Sequence, residues 1–359
     1  MGLLDSPLWR DGFTLFLSIV VQAMPFLLLG VFLSGLLAVF VDGSRLARFL
    51  PKGKVGSAVT GGALGFFFPV CECGNLPVAR QLVLKGIPPH VAVAFLLAAP
   101  VFNPVVIFST WIAFRTMPEI VVYRILFSFG IAVVIGLLFG VQKDLQPLLH
   151  PAVWQELQRN IAQTAALPAA RRSPLLQGGT FWIGSRPKQG NTPPQLVSAG
   201  SLLTLQTAEE VYRSALATPP RLPWRQKGAL LLQTWAREIR ELGSVLILGS
   251  AMAALIQTVI PRSFLLDYGQ DALVSILIMM ALAAIISICS TVDAFFALSF
   301  AATFTPGSLL AFMVFGPMVD LKAIGLMLTL FKPRAIFYLV VLTFQFTLVG
   351  ALAINYFGG

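Results

Sequence analysis

Apolar runs long enough to cross a hydrocarbon core recur near 13–41, 90–114, 119–141, 242–260, 308–331 and 335–357. A helix needs roughly 20 residues to cross a core about 30 Å thick, and backbone in that layer must satisfy its own hydrogen bonds. With 57% hydrophobic and 11% charged residues among 359, and a mean hydropathy of +0.84, the composition excludes an ordinary water-soluble domain of this size. We therefore expect an all-α polytopic membrane protein whose main partner is the lipid bilayer. The first run has no basic leader and is too long for a signal-peptide core, so it is expected to remain as a helix.

The formal net charge of +10 does not point to nucleic acid, because the basic residues sit in loops between the runs, as membrane orientation requires. Residues 142–228 carry ten Lys and Arg against four acids, with frequent Pro, Gly and Gln, and read as a soluble connector. Within it 151–166 and 204–216 have helical spacing, whereas 170–200 reads as flexible. The connector separates a first membrane half, 1–141, from a second, 229–359.

The two halves repeat. Pro89, Ala94, Phe95, Pro100 and Asn103 recur 217 positions later as Pro306, Ala311, Phe312, Pro317 and Asp320, and Cys71 and Asn75 recur 218 positions later as Cys289 and Asp293. The matches fall on Pro, Cys and acid or amide positions, not on common Leu and Ala, which favours duplication. If 55–88 and 272–305 each make an even number of crossings, the halves have odd totals and insert in opposite senses. The loop with Arg45, Arg48, Lys52 and Lys54, the connector, and the loop with Lys332 and Arg334 then share one side, which the positive-inside bias makes cytoplasmic. The expected architecture is two inverted-topology repeats, each with three spans plus a helical hairpin or two short spans, about 8–10 membrane segments in all.

Residues 57–70 and 75–86 are each too short to span. A hairpin turning back near mid-depth fits them, with CECGN (71–75) at its tip and CSTVD (289–293) at the tip of its counterpart; two short full spans would instead put the cysteines at the outer surface. Such tips line a pathway, because non-helical backbone at that depth needs protein or water around it. In an extended turn the side chains of Cys71 and Cys73 share a face, while on a helix they would point about 200° apart. Two thiols on one face chelate a soft centre, and Cys289 supplies a third. The C-x-C spacing argues against a zinc site, so no metal or cofactor is expected. His90 and His150 read as structural or solvated.

Glu72, Asp293, Asp320, Lys322 and Arg80 are ionisable residues in or beside apolar runs, where a charge costs about 2.5–3.5 kcal/mol even on the lenient insertion scale. Glu72 and Asp293, at the tips, are the leading candidates for ion coupling, while Asp320 and Lys322 could pair with each other or with Arg80. Pro100 and Pro317 each remove an intrahelical hydrogen bond, and Asn103 and Asp320 follow one turn later, an arrangement expected where broken helices meet a solute. The candidate solute contacts are thus Cys71, Cys73, Cys289, Asn75 and Asn103. No phosphate loop or zinc-protease motif is present, so no ATP hydrolysis is expected of this chain.

The segment PVCECGNLPVARQLVLKGIPPHVAVAFLLAAPVFNP, together with CSTVDAFFALSF and FGPMVDLKAI, resembles the ArsP-like permease family over roughly 10–140 and 228–357. The resemblance implies an inner-membrane permease for trivalent organoarsenicals, with Cys71, Cys73 and Cys289 at family positions proposed to touch the substrate. This chain departs from the pattern in having Glu72 between its cysteines and a long connector. Our expectation is a non-enzymatic, ion-coupled exporter of a soft, thiol-seeking small solute. A membrane thiol–disulfide redox protein using Cys71 and Cys73, a permease for an unrelated solute, and a scaffold that recruits partners through its connector are the alternatives. A homo-oligomer is compatible with all of them.

Overall fold

The computed structural model describes residues 7–40, 50–51, 53–68, 71–141, 148–165, 224–259, 272–301 and 303–357. They form thirteen helices: α1 (Pro7–Phe40), α2 (Lys54–Phe67), α3 (Glu72–Leu84), α4 (Pro89–Ala98), α5 (Pro104–Ala113), α6 (Pro118–Val141), α7 (Pro151–Ala165), α8 (Trp224–Val259), α9 (Ala272–Ile286), α10 (Asp293–Leu298), α11 (Pro306–Met318), α12 (Leu321–Met327) and α13 (Pro333–Phe357). No strand occurs among the described residues, although Leu149 and Phe331 form an isolated antiparallel bridge. The expected connector helix is α7, whereas 170–200 and 204–216 lie outside the described residues.

Among the described residues, four stretches are long and apolar enough to cross a membrane: Gly12–Phe40, Pro118–Val141, Pro306–Met327 and Pro333–Phe357. The apolar run near 90–114 is broken after Ala98 into α4 and α5, as Pro100 leads one to expect, and that near 242–260 forms the apolar end of α8. Phe13, Leu17, Val21 and Leu28 of α1, Val122 and Leu126 of α6, and Phe337 and Val349 of α13 are exposed. Apolar side chains turned outward on long helices suit a hydrocarbon surround.

The breaks have local causes. Pro100 cannot donate the hydrogen bond that would continue α4, and the chain leaves the helix after Ala98. Asn103 then serves both flanks: its amide donates to the Ala99 carbonyl at 3.2 Å, and its Oδ1 accepts from the Val106 N–H at 2.9 Å, capping α5. In the second half Pro317 occupies the last turn of α11, Val319 is extended, and Asp320 caps α12 by accepting from the Ala323 N–H. Pro89 and Pro306 open α4 and α11 as first-turn prolines.

Helix directions follow from paired contacts. Ser57 bonds His90 and a Cβ on Gly65 would press on Ala99, so α2 and α4 run parallel. Gly30 of α1 meets Gly74 of α3, and Lys85 donates to the Ala38 carbonyl, so α1 and α3 also run parallel. The chain thus runs out along α2 and comes back along α3 to the end where α1 finishes and α4 starts. Gly136 and Gly140 of α6 lie against Ala94 and His90, which brings the close of α6 to this same end. The connector sits there too: Leu148 and His150 pair with Lys332 and Leu330 through the backbone, at 2.9 Å each.

At the opposite end Asn355 accepts from Gly307 N–H and donates to Thr305, tying the close of α13 to the start of α11. Phe127 of α6 faces Gly350, and Tyr123 and Ile354 line one cavity of about 290 Å³, so α6 and α13 run antiparallel. Small residues recur at matched contacts: Gly65 with Ala99 in the first half, Ala283 with Gly316 in the second.

A Cβ on Gly30 would overlap the Gly74 backbone, whereas Gly130 on α6 has open space around it. Gly30→Val should cost about 1–3 kcal/mol by overpacking, and Gly130→Ala should be neutral or stabilising by about 0.5–1 kcal/mol. Thermal unfolding in detergent checks the pair.

Candidate substrate site

All thirteen residues of α3 are buried, including Glu72, Asn75, Arg80 and Gln81. Its start is tight: Cys71 is the N-cap residue, and its carbonyl accepts from the N–H groups of Gly74 at 3.0 Å and Asn75 at 3.2 Å. The helix therefore begins at Glu72, and Cys73 lies in its first turn instead of sharing an extended turn with Cys71. The second sulfur of the cluster comes from far along the chain. The thiols of Cys71 and Cys289 and a carboxylate oxygen of Glu72 all lie within 4.8 Å of one another, all three residues buried. Cys73 is buried outside that trio, and all three cysteines are free thiols.

Cys289 belongs to the turn between α9 and α10. Its carbonyl accepts from Val292 N–H at 2.9 Å and Asp293 N–H at 3.1 Å, and Ser287 takes a left-handed conformation (φ 52°) where α9 ends. That strain marks a sharp exit from the helix, which aims the following residues toward α3.

A third segment supplies charge. The Lys322 ammonium, in the first turn of α12, lies 3.7 Å from Glu72 Oε1 and 3.9 Å from Asp320 Oδ2. Two carboxylates thus face one ammonium in a place where each side chain is at most 4% exposed. Several polar atoms here have no hydrogen-bond partner: Glu72 Oε2, and both amide atoms of Asn75 one turn further along α3. A buried polar atom left so costs about 1–3 kcal/mol. Beside Glu72 lies a cavity of about 10 Å³, lined also by Leu76, Leu96, Pro317, Met318 and Met327, roughly the room one water needs.

Asp293 is held elsewhere. Its Oδ2 accepts from Arg124 Nη2 at 2.6 Å, and Arg124 also donates to Thr110 Oγ1 at 2.7 Å and reaches the Ser290 carbonyl at 3.5 Å. Both charged side chains are 2% exposed. Arg124 was not singled out in the sequence: it is an isolated cation in an apolar run whose partner lies 169 residues away, and only its improbability in such a run signals it. Asn103 acts as the cap described above.

Arg80 pairs with neither Asp320 nor Lys322. It donates to Glu241 at 2.6 Å and Glu156 at 3.0 Å, and Arg237 bonds the same two carboxylates, linking α3 to the connector helix α7 and to α8. Burial pushes the Glu241 carboxyl up, but hydrogen bonds from Arg80 and Arg237 outweigh it and hold that carboxyl below its ordinary range. Alongside, Glu238 accepts from Ser34 at 2.7 Å and Gln81 at 3.0 Å.

Removing Arg124 leaves Asp293 buried without its counter-ion, so Arg124→Met should destabilise by about 3–5 kcal/mol. The double variant Arg124→Met/Asp293→Asn should recover part of that loss, as read from thermal unfolding in detergent.

The comparisons bear on the whole chain. A family model described as a predicted permease, ArsP_1, matches residues 8–356. The UPF0718 protein YcgR of Bacillus subtilis (strain 168) is 35% identical over 342 residues, covering 95% of this chain and 96% of the relative. A protein of Streptococcus mutans serotype c, named as a candidate subunit of a two-component membrane permease complex, is 31% identical over 322 residues, 90% of this chain and 87% of its own. No solved structure matches. A nearly all-helical multi-pass architecture and a match from end to end make the assignment: this chain belongs to the ArsP-like family of predicted permeases.

Proposed function

We propose that the chain is an ion-coupled permease that exports a soft, thiol-seeking solute, a trivalent organoarsenical foremost, from a site built by two inverted halves. The carrying observation is the trio of Cys71, Cys289 and Glu72, in which two thiols 218 positions apart meet in the interior. The antiparallel course of α6 and α13 supports opposite insertion of the halves, with 1–141 and 229–359 as the repeats and 142–228 as the connector. The return of α3 to the end where α2 begins supports a re-entrant hairpin with its tip at mid-depth. The end holding Lys54, Lys332, Arg334 and α7 is then the cytoplasmic face of the inner membrane.

The chemistry follows from valence. Methylarsenite offers arsenic with two exchangeable hydroxyls, and two thiols displace both as water while the methyl group stays. No electrons move and no proton is released in that exchange. Coupling to an ion gradient then falls to the charged cluster, where Glu72 and Asp320 share the ammonium of Lys322. Cys73, Asn75 and Asn103 complete the surround we assign to the solute, and Pro100 and Pro317 open the helices around it. Asp293 contributes through its pair with Arg124, two turns from the outer end of α6.

In everted membrane vesicles, Cys71→Ser and Cys289→Ser should each cut methylarsenite accumulation by about tenfold or more; wild-type rates in both would overturn thiol recognition. For topology, single cysteines placed at Arg334 and Glu119 of a cysteine-free chain should react with an impermeant maleimide from opposite faces. Labelling of both from one face would refute the inverted arrangement.

A further inference from the structure

The trio holds one donor that an arsenical does not use. Two thiols complete the valence of methylarsenite, yet a Glu72 carboxylate oxygen stands in the same 4.8 Å cluster. Glu72 is 7% exposed, its Oε2 has no hydrogen bond, and its charged neighbour Lys322 sits beyond hydrogen-bond length at 3.7 Å. Glu72 is thus a buried carboxylate within 4.8 Å of two sulfurs, with one oxygen unpartnered.

Ligand atoms on a tetrahedral zinc-type ion, with bonds of about 2.0–2.3 Å, are separated by roughly 3.3–3.8 Å. Closing the trio onto a common centre thus needs side-chain movements of only about an ångström, within rotamer adjustment. We propose that Cys71, Cys289 and Glu72 form a three-ligand site for a divalent d¹⁰ cation of the zinc–cadmium class, and that this permease carries such a cation. The inference rests on the thiol-site reading above and extends its cargo. Sulfur donors favour such ions over magnesium and calcium, which require oxygen shells. A set of three protein ligands leaves a coordination position open, as in exchangeable sites, whereas structural zinc is closed by four. A carrier that must release its cargo needs the former. When Glu72 turns to the ion, Lys322 retains Asp320 as counter-ion at 3.9 Å.

The loading step balances without redox change. The aqueous cation and two Cys–SH groups give two metal–thiolate bonds and two protons released to water, while the Glu72 carboxylate donates a lone pair. Two positive charges enter and two leave, so the buried charge is unchanged. Release on the other side takes two protons back, which makes the carrier an exchanger of one cation for two protons by ligand chemistry alone. Methylarsenite loading, by contrast, releases water and no proton.

The test titrates the reduced full-length chain in detergent with cadmium chloride, reading thiolate-to-cadmium charge-transfer absorption, and with a pH dye in weak buffer. The expected result is one cadmium per chain and about two protons per ion, with none per methylarsenite. Cys71→Ser, Cys289→Ser and Glu72→Gln should each weaken cadmium binding by about tenfold or more, and His150→Ala, in the connector, should leave it unchanged. Cys289→Ala serves as a second variant, and metal-free unfolding midpoints verify that each variant is folded. Full cadmium affinity in folded Glu72→Gln or in either folded Cys289 variant overturns the site. If methylarsenite binds through Cys71 and cadmium does not, the cation inference falls and the thiol-permease reading stands. If neither binds, both fall.

Discussion

Backbone that leaves the helical state part-way across a bilayer loses its hydrogen-bond partners in a layer that offers no water to replace them. In this chain the described helices end at Phe68, after Ala98, between α9 and α10, and at Val319, beside stretches apolar enough to cross a membrane. The consequences of that constraint organise the molecule. Asn103 answers a carbonyl on one side of its break and an N–H on the other, Asp320 answers the N–H of Ala323, and the Cys71 carbonyl takes two N–H groups. Such segments must also be enclosed by protein, so α3 is buried along its whole length and Gly30 and Gly74 allow α1 to press directly on its first turn. The thiols of Cys71 and Cys289 meet because both lie in turns that have to be sheltered in this way.

Charge obeys the same logic. A buried ion unpaired in this environment costs several kcal/mol, and most of the described interior charges come in sets, with Glu238 held by Ser34 and Gln81. Arg124 and Asp293 neutralise each other, and Arg80 and Arg237 share Glu156 and Glu241. The central set differs: Glu72 and Asp320 stand around the single ammonium of Lys322, with sulfur beside it. A surplus of acceptors over cations, combined with unpartnered amide atoms on Asn75, is a poor way to hold helices together and a good way to meet a solute. The Arg80 cluster has the opposite character, since Glu156 and Glu241 each have two cations and it fastens the connector helix to α3 and α8.

Much of this was legible in the amino-acid order because prolines and caps act locally. Pro89, Pro306, Pro100, Pro317, Asn103 and Asp320 mark the ends of helices wherever they occur, so their matching offsets in two halves carried structural meaning before any coordinates. The lengths of 57–70 and 75–86 likewise anticipated two short helices. Partnerships across the fold were not legible. Nothing near Arg124 names Asp293, nothing near Arg80 names Glu156 or Glu241, and the expected division of 90–114 into two helices had to be read from Pro100 and Asn103 against a continuous apolar run. The pairing of Cys71 with Cys289 was obscured by the nearer Cys73, which falls in the first turn of the helix that begins at Glu72. The C-x-C spacing argued against a zinc site on one local segment, a rule that does not reach donors drawn from two segments, as in this trio.

The closeness of two sulfurs from different halves of the chain carries the permease reading. Its most direct test is mild oxidation of the Cys73→Ser protein in membranes, followed by proteolysis under non-reducing conditions and mass spectrometry. A disulfide-linked pair of peptides carrying residues 71 and 289, suppressed when methylarsenite is added first, is the predicted result. Recovery of both residues as separate free thiols after oxidation would contradict it.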